Sequence, residues 1–195
     1  MKIDILFLDN DLSDHEEYFD NQTIKEYCET HSFEGEKNQI LSVPPSYSKS
    51  QNLTFLVGLG ENKVDNNFYD IGTLIGSKIK SDAEIKFLNF EEEKNLIIDG
   101  ILYVQYKFNN YKSEDDSSIN NITFKDIDSS VNEIKKDSVF WVRDLINTPA
   151  LDKSPEEFIN KVKELVDSSH IDVEVYDKKW LEENNFGGVL GVGTG

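Results

Sequence analysis

The sequence predicts an α/β fold, a mixed sheet flanked by helices. Three observations carry this. Short apolar runs recur at Ile3–Leu8, Ile40–Val43, Leu53–Val57 and Glu84–Leu88, and their alternation or continuity is that of half-buried and fully buried strands. Between and after them, apolar residues fall at spacings of three and four: Val64, Phe68, Ile71, Ile75 and Ile79, then Leu96, Ile97, Ile101, Val104 and Phe108. Such a stripe lines one side of a helix. Turn formers close the runs, at Pro44-Pro45 and at Gly58-Leu59-Gly60. Strand alternating with helix is the order of a sheet with helices on its faces.

The remaining elements follow in order. Residues 9–38 are polar and acidic, with a weak helix near Thr23–Thr30. Ser46–Asn52 and Ser113–Ser118 read as loops. Ile119–Lys125 alternates as an edge-like strand. Asp128–Asn147 reads as one longer helix through Val131, Ile134, Val142 and Leu145, ending before Pro149. A domain boundary is expected at its start, giving domains 1–127 and 128–195. Ser154-Pro155-Glu156-Glu157 is the clearest helix start in the chain. Ser154 accepts from the N–H three residues on, Glu157 reaches back to the cap N–H, and Pro155 stands where no N–H is needed. Phe158, Val162, Leu165 and Val166 give that helix an expected buried stripe. Ile171–Val175 alternates as a strand, Lys178–Asn184 is a short helix, and Phe186–Gly195 reads as the start of a glycine-rich strand.

Composition narrows the function. There are 38 acidic side chains against 20 basic ones, a formal charge of −18. Nucleic acid and anionic membranes need a positive footprint, so neither is an expected partner. No stretch approaches the roughly 20 apolar residues of a membrane span. The first residues do not form a signal peptide, because Asp4 interrupts the apolar run. A cytoplasmic location is the expectation. Cys28 is the single cysteine, so an internal disulfide is impossible. It reads as a half-buried thiol on a helix.

Several patterns mimic sites. Asp9, Asp11, Ser13 and Asp20 are spaced like a calcium loop, but Asp14 stands where the sharp turn needs glycine. Gly191-Val-Gly193-Thr-Gly195 begins like a dinucleotide turn but lacks the later glycine and helix. Gly58 and Gly60 form a candidate ligand-binding turn that could approach a phosphate. His15, His31 and His170 share no ligand spacing. Trp141 and Trp180 read as packing anchors. Arg143, the single arginine, lies four residues before Asn147 and shares its helix face. Arg143, Asp144, Asn147 and Pro149 are expected to lock the helix and turn between the domains. No residue is nominated as catalytic or as a metal ligand.

The stretch Val142-Arg143-Asp144-Leu145-Ile146-Asn147-Thr148-Pro149-Ala150 resembles the segment that opens the catalytic domain of the leucine aminopeptidase family. Ser154-Pro155-Glu156-Glu157-Phe158, then Val173–Asp177, then Gly187–Gly195 follow it in matching order. Upstream, Leu56–Gly60 and Gly100 through Lys112 are similar more thinly. Residues 9–52 show no likeness.

The resemblance implies a macro-domain-like N-terminal domain followed by the first α/β segment of a catalytic domain. It implies that the whole enzyme removes N-terminal amino acids from peptides. Two divalent metals, zinc or manganese, activate its water, and it assembles as a homo-hexamer. The family's metal-binding motifs are absent from these residues. Asn147-Thr148-Pro149-Ala150 only superficially matches one of them, lacking both acids. The chain itself is therefore expected to bind no metal and to be non-catalytic, contributing domain structure and assembly. Two other readings remain: a stand-alone module binding a nucleotide such as ADP-ribose, and an assembly scaffold. Residues 129–195 are expected to be poorly ordered or prone to aggregate in isolation, with a sheet edge unpaired and an apolar face uncovered.

Overall fold

The computed structural model describes residues 1–10, 17–19, 21–61, 66–90, 93–112, 119–166 and 171–193. Val64, the Ser113–Ser118 loop, the 11–16 part of the calcium-like segment with Asp20, His15, His170, Thr194 and Gly195 lie outside them. The described residues form two compact units, Met1–Trp141 and Val142–Gly195.

The first unit is built on a five-stranded sheet. Its elements are β1 (Lys2–Leu8), α1 (Asn21–Thr30), β2 (Ile40–Val43), β3 (Leu53–Gly58), α2 (Phe68–Lys78), β4 (Ala83–Phe87), α3 (Lys94–Tyr103), β5 (Ile122–Phe124) and α4 (Ser130–Asn147). The strand order is β2-β3-β1-β4-β5. β1 pairs parallel with β3 and β4, β4 parallel with β5, and β2 antiparallel with β3, so the sheet is mixed. β1 is central and buries both faces. Ile3, Ile5 and Phe7 join the core under α2 and α3, while Leu6 and Leu8 join a second core with Phe19, Ile24, Cys28 and Leu56 under α1. That two-sided burial explains why β1 reads as a nearly continuous apolar run.

α2 and α3 touch through glycine. A Cβ built on Gly72 would lie 2.2 Å from the Ile97 carbonyl oxygen, and one on Gly100 would lie 2.2 Å from that of Tyr69. No side chain fits there, so the two backbones meet directly. Ile71, Ile75, Ile97, Ile98 and Ile101 then fill the space above the sheet. α2 starts at Asn67, whose side chain accepts from the Asp70 N–H. α3 ends at Tyr103, so Phe108 falls outside the helix expected to include it and packs against Tyr111 instead.

α4 is seated on α3 by polar contacts. Asn132 Nδ2 donates to Asp99 Oδ1 at 2.7 Å and to the Asn95 carbonyl at 3.1 Å, and Lys135 pairs with Asp99 at 3.5 Å. Phe140 packs edge-on against Tyr106. The expected stripe of this helix faces the other way: Val131 and Ile134 are 62% and 67% exposed. The helix is where periodicity placed it, but its buried contacts are Asn132 and Phe140. The compact units divide between Trp141 and Val142, inside this helix, because its first half packs on α3.

The second unit holds α5 (Pro155–Val166), α6 (Lys178–Glu183) and α7 (Gly187–Gly193). None of these helices contains a buried residue. Phe158 and Leu165, expected inside, are exposed. Two strand expectations are corrected. Ile171–Asp177 is in no strand, because no described residue pairs with it. Gly187–Gly193 is a helix, because i to i+4 bonding satisfies its backbone without a neighbour. Nor do its glycines mark close packing: a Cβ on Gly187, Gly188, Gly191 or Gly193 would meet nothing within 4 Å.

Gly100→Ala should destabilise the first unit by about 3 kcal/mol, since the new methyl must push two backbones apart. Urea unfolding followed by circular dichroism checks this, and an unchanged midpoint would refute the backbone contact.

Candidate functional site

The segment from α4 to α7 carries the residues nominated from sequence. α4 ends at Asn147 and a short 3-10 turn spans Ala150–Asp152. Pro149 sits between them with φ −56° and ψ 150°, which takes the chain out of the helix. The last carbonyls of α4 need partners. Thr148 supplies two, its N–H and its hydroxyl donating to the Asp144 carbonyl at 2.9 and 2.7 Å. Lys153 supplies a third, its Nζ reaching back to the Leu145 carbonyl at 2.5 Å. Thr148 and Lys153 therefore belong to this closure, although nothing in the sequence pattern singled them out. A basic side chain just past a helix end is the signal that could have found Lys153. Arg143 and Asp144 are half-buried on the last turns of α4, and Asn147 and Pro149 are exposed at its end.

α5 starts as its sequence signature requires: Ser154 Oγ accepts from the Glu157 N–H at 3.1 Å. Asp177 caps α6 in the same manner, accepting from the Trp180 N–H at 2.8 Å. Trp180 is a packing anchor, lying between Tyr176 (ring centroids 4.1 Å apart) and Phe186 (5.4 Å). A cleft of about 440 Å³ opens among α5, α6 and α7, lined by Ile159, Val175, Leu181, Val189 and Leu190 among others. Its wall is mostly apolar, and of its polar members Asp177 is engaged with the Trp180 N–H and Tyr176 with Glu174.

Elsewhere the nominated turn is closed. Gly58 N–H donates to the Gln39 carbonyl, Leu59 N–H to that of Leu8, and Gly60 N–H to that of Gly35. Gly60 needs its glycine for a φ of +72°, and a Cβ on Gly58 would lie 2.1 Å from the Glu36 carbonyl oxygen. A phosphate at this turn would have to displace those three carbonyls. Cys28 is buried in the second core, not half-buried as expected. Burial and the adjacent Glu29 charge push its thiol up to about 11. His31 is at the surface, its ring stacked on Tyr27. Among the described residues no three His, Cys, Asp or Glu side chains gather where they could hold a metal ion.

Comparison with known proteins gives this arrangement its context. The cytosol aminopeptidase family, catalytic domain, matches residues 140–195, from the last turns of α4 onward. Over these residues the chain is similar to the opening of that family's catalytic domain. A probable cytosol aminopeptidase of Tropheryma whipplei is 29% identical over 175 residues. That alignment takes in 83% of this chain and 35% of the relative, so the chain spans about a third of that relative's length. The fold agrees with solved structures. Cytosol aminopeptidase from Coxiella burnetii superposes with a TM-score of 0.70 at 22% identity, covering 94% of this chain and 39% of that one. The bottromycin maturation enzyme BotP in complex with Mn gives 0.68 at 14% identity, covering 93% and 39%. The aminopeptidase-family segment is thus the one whose local closure was described above.

Two outcomes follow. Because the folded Cys28 thiol titrates near 11 instead of 9.0, alkylation by iodoacetamide at pH 8 should be slow in the native chain and fast in urea. Between those two values the unfolded chain loses its proton first, so stability should fall as pH rises from 9 to 11. Stability flat across that window would contradict the assignment. Amide exchange in α5, α6 and α7 should be much faster than in β1 and β3, since those helices bury nothing. Equal protection would show that the second unit has a core.

Proposed function

We propose that residues 1–195 serve as the N-terminal α/β domain and the opening of the catalytic domain of a metal-dependent leucyl aminopeptidase. The observation that carries this is the catalytic-domain match over residues 140–195, set behind an α/β unit whose fold is that of solved aminopeptidases. The whole enzyme would remove N-terminal amino acids from peptides in the cytosol and assemble as a homo-hexamer. Two divalent ions, zinc or manganese, would supply it with an activated water and with charge stabilisation on both sides of the displacement. The described residues do not fit such a pair of ions, and no step of hydrolysis is assigned to them. Their contribution is structural. Arg143, Asp144, Asn147 and Pro149, with Thr148 and Lys153, end α4 and direct the chain into α5. No helix among the described residues is long and apolar enough to cross a membrane.

The test is direct. The purified 195-residue chain is incubated with a leucine chromogenic amide and added manganese or zinc. No release above the metal-only blank is expected, and metal-dependent turnover would overturn the non-catalytic role. In sedimentation the chain alone should run below a hexamer, because it spans only about a third of the length of the relative it matches. A stable hexamer would contradict that.

A further inference from the structure

The described residues roof the second face of the sheet only in part. Over β2, β3 and the end of β1 it carries the core beneath α1, but Glu84, Lys86, Thr123 and Lys125 on β4 and beside β5 are exposed. There a groove of about 360 Å³ is lined by Asp4, Glu17, Tyr18, Lys49, Lys86 and Lys125 among others.

The two lysines stand side by side. β4 and β5 run in parallel register with Ile85 opposite Phe124, and the Lys125 N–H donates to the Ile85 carbonyl at 2.7 Å. The next pair along is Lys86 and Lys125, on strands about 4.8 Å apart. Both point away from the core that holds Ile85 and Phe124. Like charges facing each other across neighbouring strands destabilise a sheet. Acids outnumber bases 38 to 20 in this chain, yet neither ammonium group is in an ion pair or hydrogen bond with a described residue.

The carboxylate opposite Lys86 in the sheet is already committed. Asp4 is the cross-strand neighbour of Lys86 and only 2% exposed. Ser50 Oγ donates to its Oδ2 at 2.5 Å, and Asn52 Nδ2 donates to both oxygens at 3.2 and 3.3 Å. Ser48 extends this chain, its Oγ 2.8 Å from that of Ser50. Lys49 at the rim is bound to the Glu17 carbonyl. The hydroxyl and amide donors are thus turned inward onto Asp4, and the two ammonium groups remain directed at the groove.

We propose that Lys86 and Lys125 form a binding site for a small oxyanion, a phosphate or a carboxylate group, seated over the open face of the sheet. One oxyanion accepting from both ammonium groups replaces their repulsion with two charge-assisted hydrogen bonds. This site is independent of the aminopeptidase reading and uses none of residues 140–195, which carry that likeness.

The test uses the 195-residue chain, with inorganic phosphate and acetate as probes and sodium chloride at matched ionic strength as control. Thermal unfolding and titration calorimetry are run on the wild type, on Lys86→Gln and Lys125→Gln, and on Lys78→Gln, an exposed lysine outside the groove. Phosphate or acetate should raise the unfolding temperature saturably in the wild type and in Lys78→Gln. Affinity should fall about tenfold in each groove variant. Without either probe, the groove variants should unfold no earlier than wild type, because a repulsion has been removed. A response to phosphate alone assigns a phosphate ligand, and a response to acetate alone assigns a carboxylate. The proposal is overturned by no response to either probe, by an equal response in all four proteins, or by a response that chloride reproduces.

Discussion

The double burial of β1 is the constraint from which the rest of the first unit follows. A strand with apolar side chains on both faces needs a cover on each. Here α2 and α3 cover one and α1 the other. Parallel neighbours on both sides, β3 and β4, require crossover connections long enough to hold helices. Asp4 is the exception inside this strand, and its burial is compatible with folding because Ser50 and Asn52 satisfy its oxygens.

From β1 the order of dependence runs outward. α2 and α3 approach closely enough for Gly72 and Gly100 to meet the opposite backbone, which fixes where α3 lies. Asp99 on α3 then receives Asn132 and Lys135 from α4. The helix that carries the start of the aminopeptidase-family segment is therefore seated through a buried polar contact, not through its apolar stripe. A buried carboxylate with specific donors favours one seating over its neighbours, since any shift leaves it unsatisfied.

The second unit rests on different physics. Its order comes from bonds a few residues apart: Thr148 to Asp144, Lys153 to Leu145, Ser154 to Glu157, Asp177 to Trp180. Such local bonds need no long-range partner. Its apolar residues, Phe158, Leu165 and Val192 among them, remain exposed. The contrast between the two units is one between burial and local capping.

The sequence by itself determined much of the first unit's strands and the α5 cap. β1, β2 and β3 stand within a residue of where alternation and turn formers placed them, and the α5 cap is read directly from Ser154 and Glu157. The likeness to the aminopeptidase catalytic domain was legible too, in the run from Val142 to Ala150, which lies inside the matched residues 140–195. Three-dimensional packing decided the rest. Which side of α4 is buried depends on Asp99, 33 positions away in the chain. Whether Ile171–Val175 forms a strand depends on a hydrogen-bonded neighbour, which alternation alone does not supply. The Gly58–Gly60 turn read as an open ligand-binding turn, whereas its N–H groups are satisfied by the carbonyls of Gln39, Leu8 and Gly35, contacts made only when the chain folds back. Periodicity and capping act within a turn or two of chain, whereas burial, pairing and the satisfaction of polar groups are properties of neighbours in space.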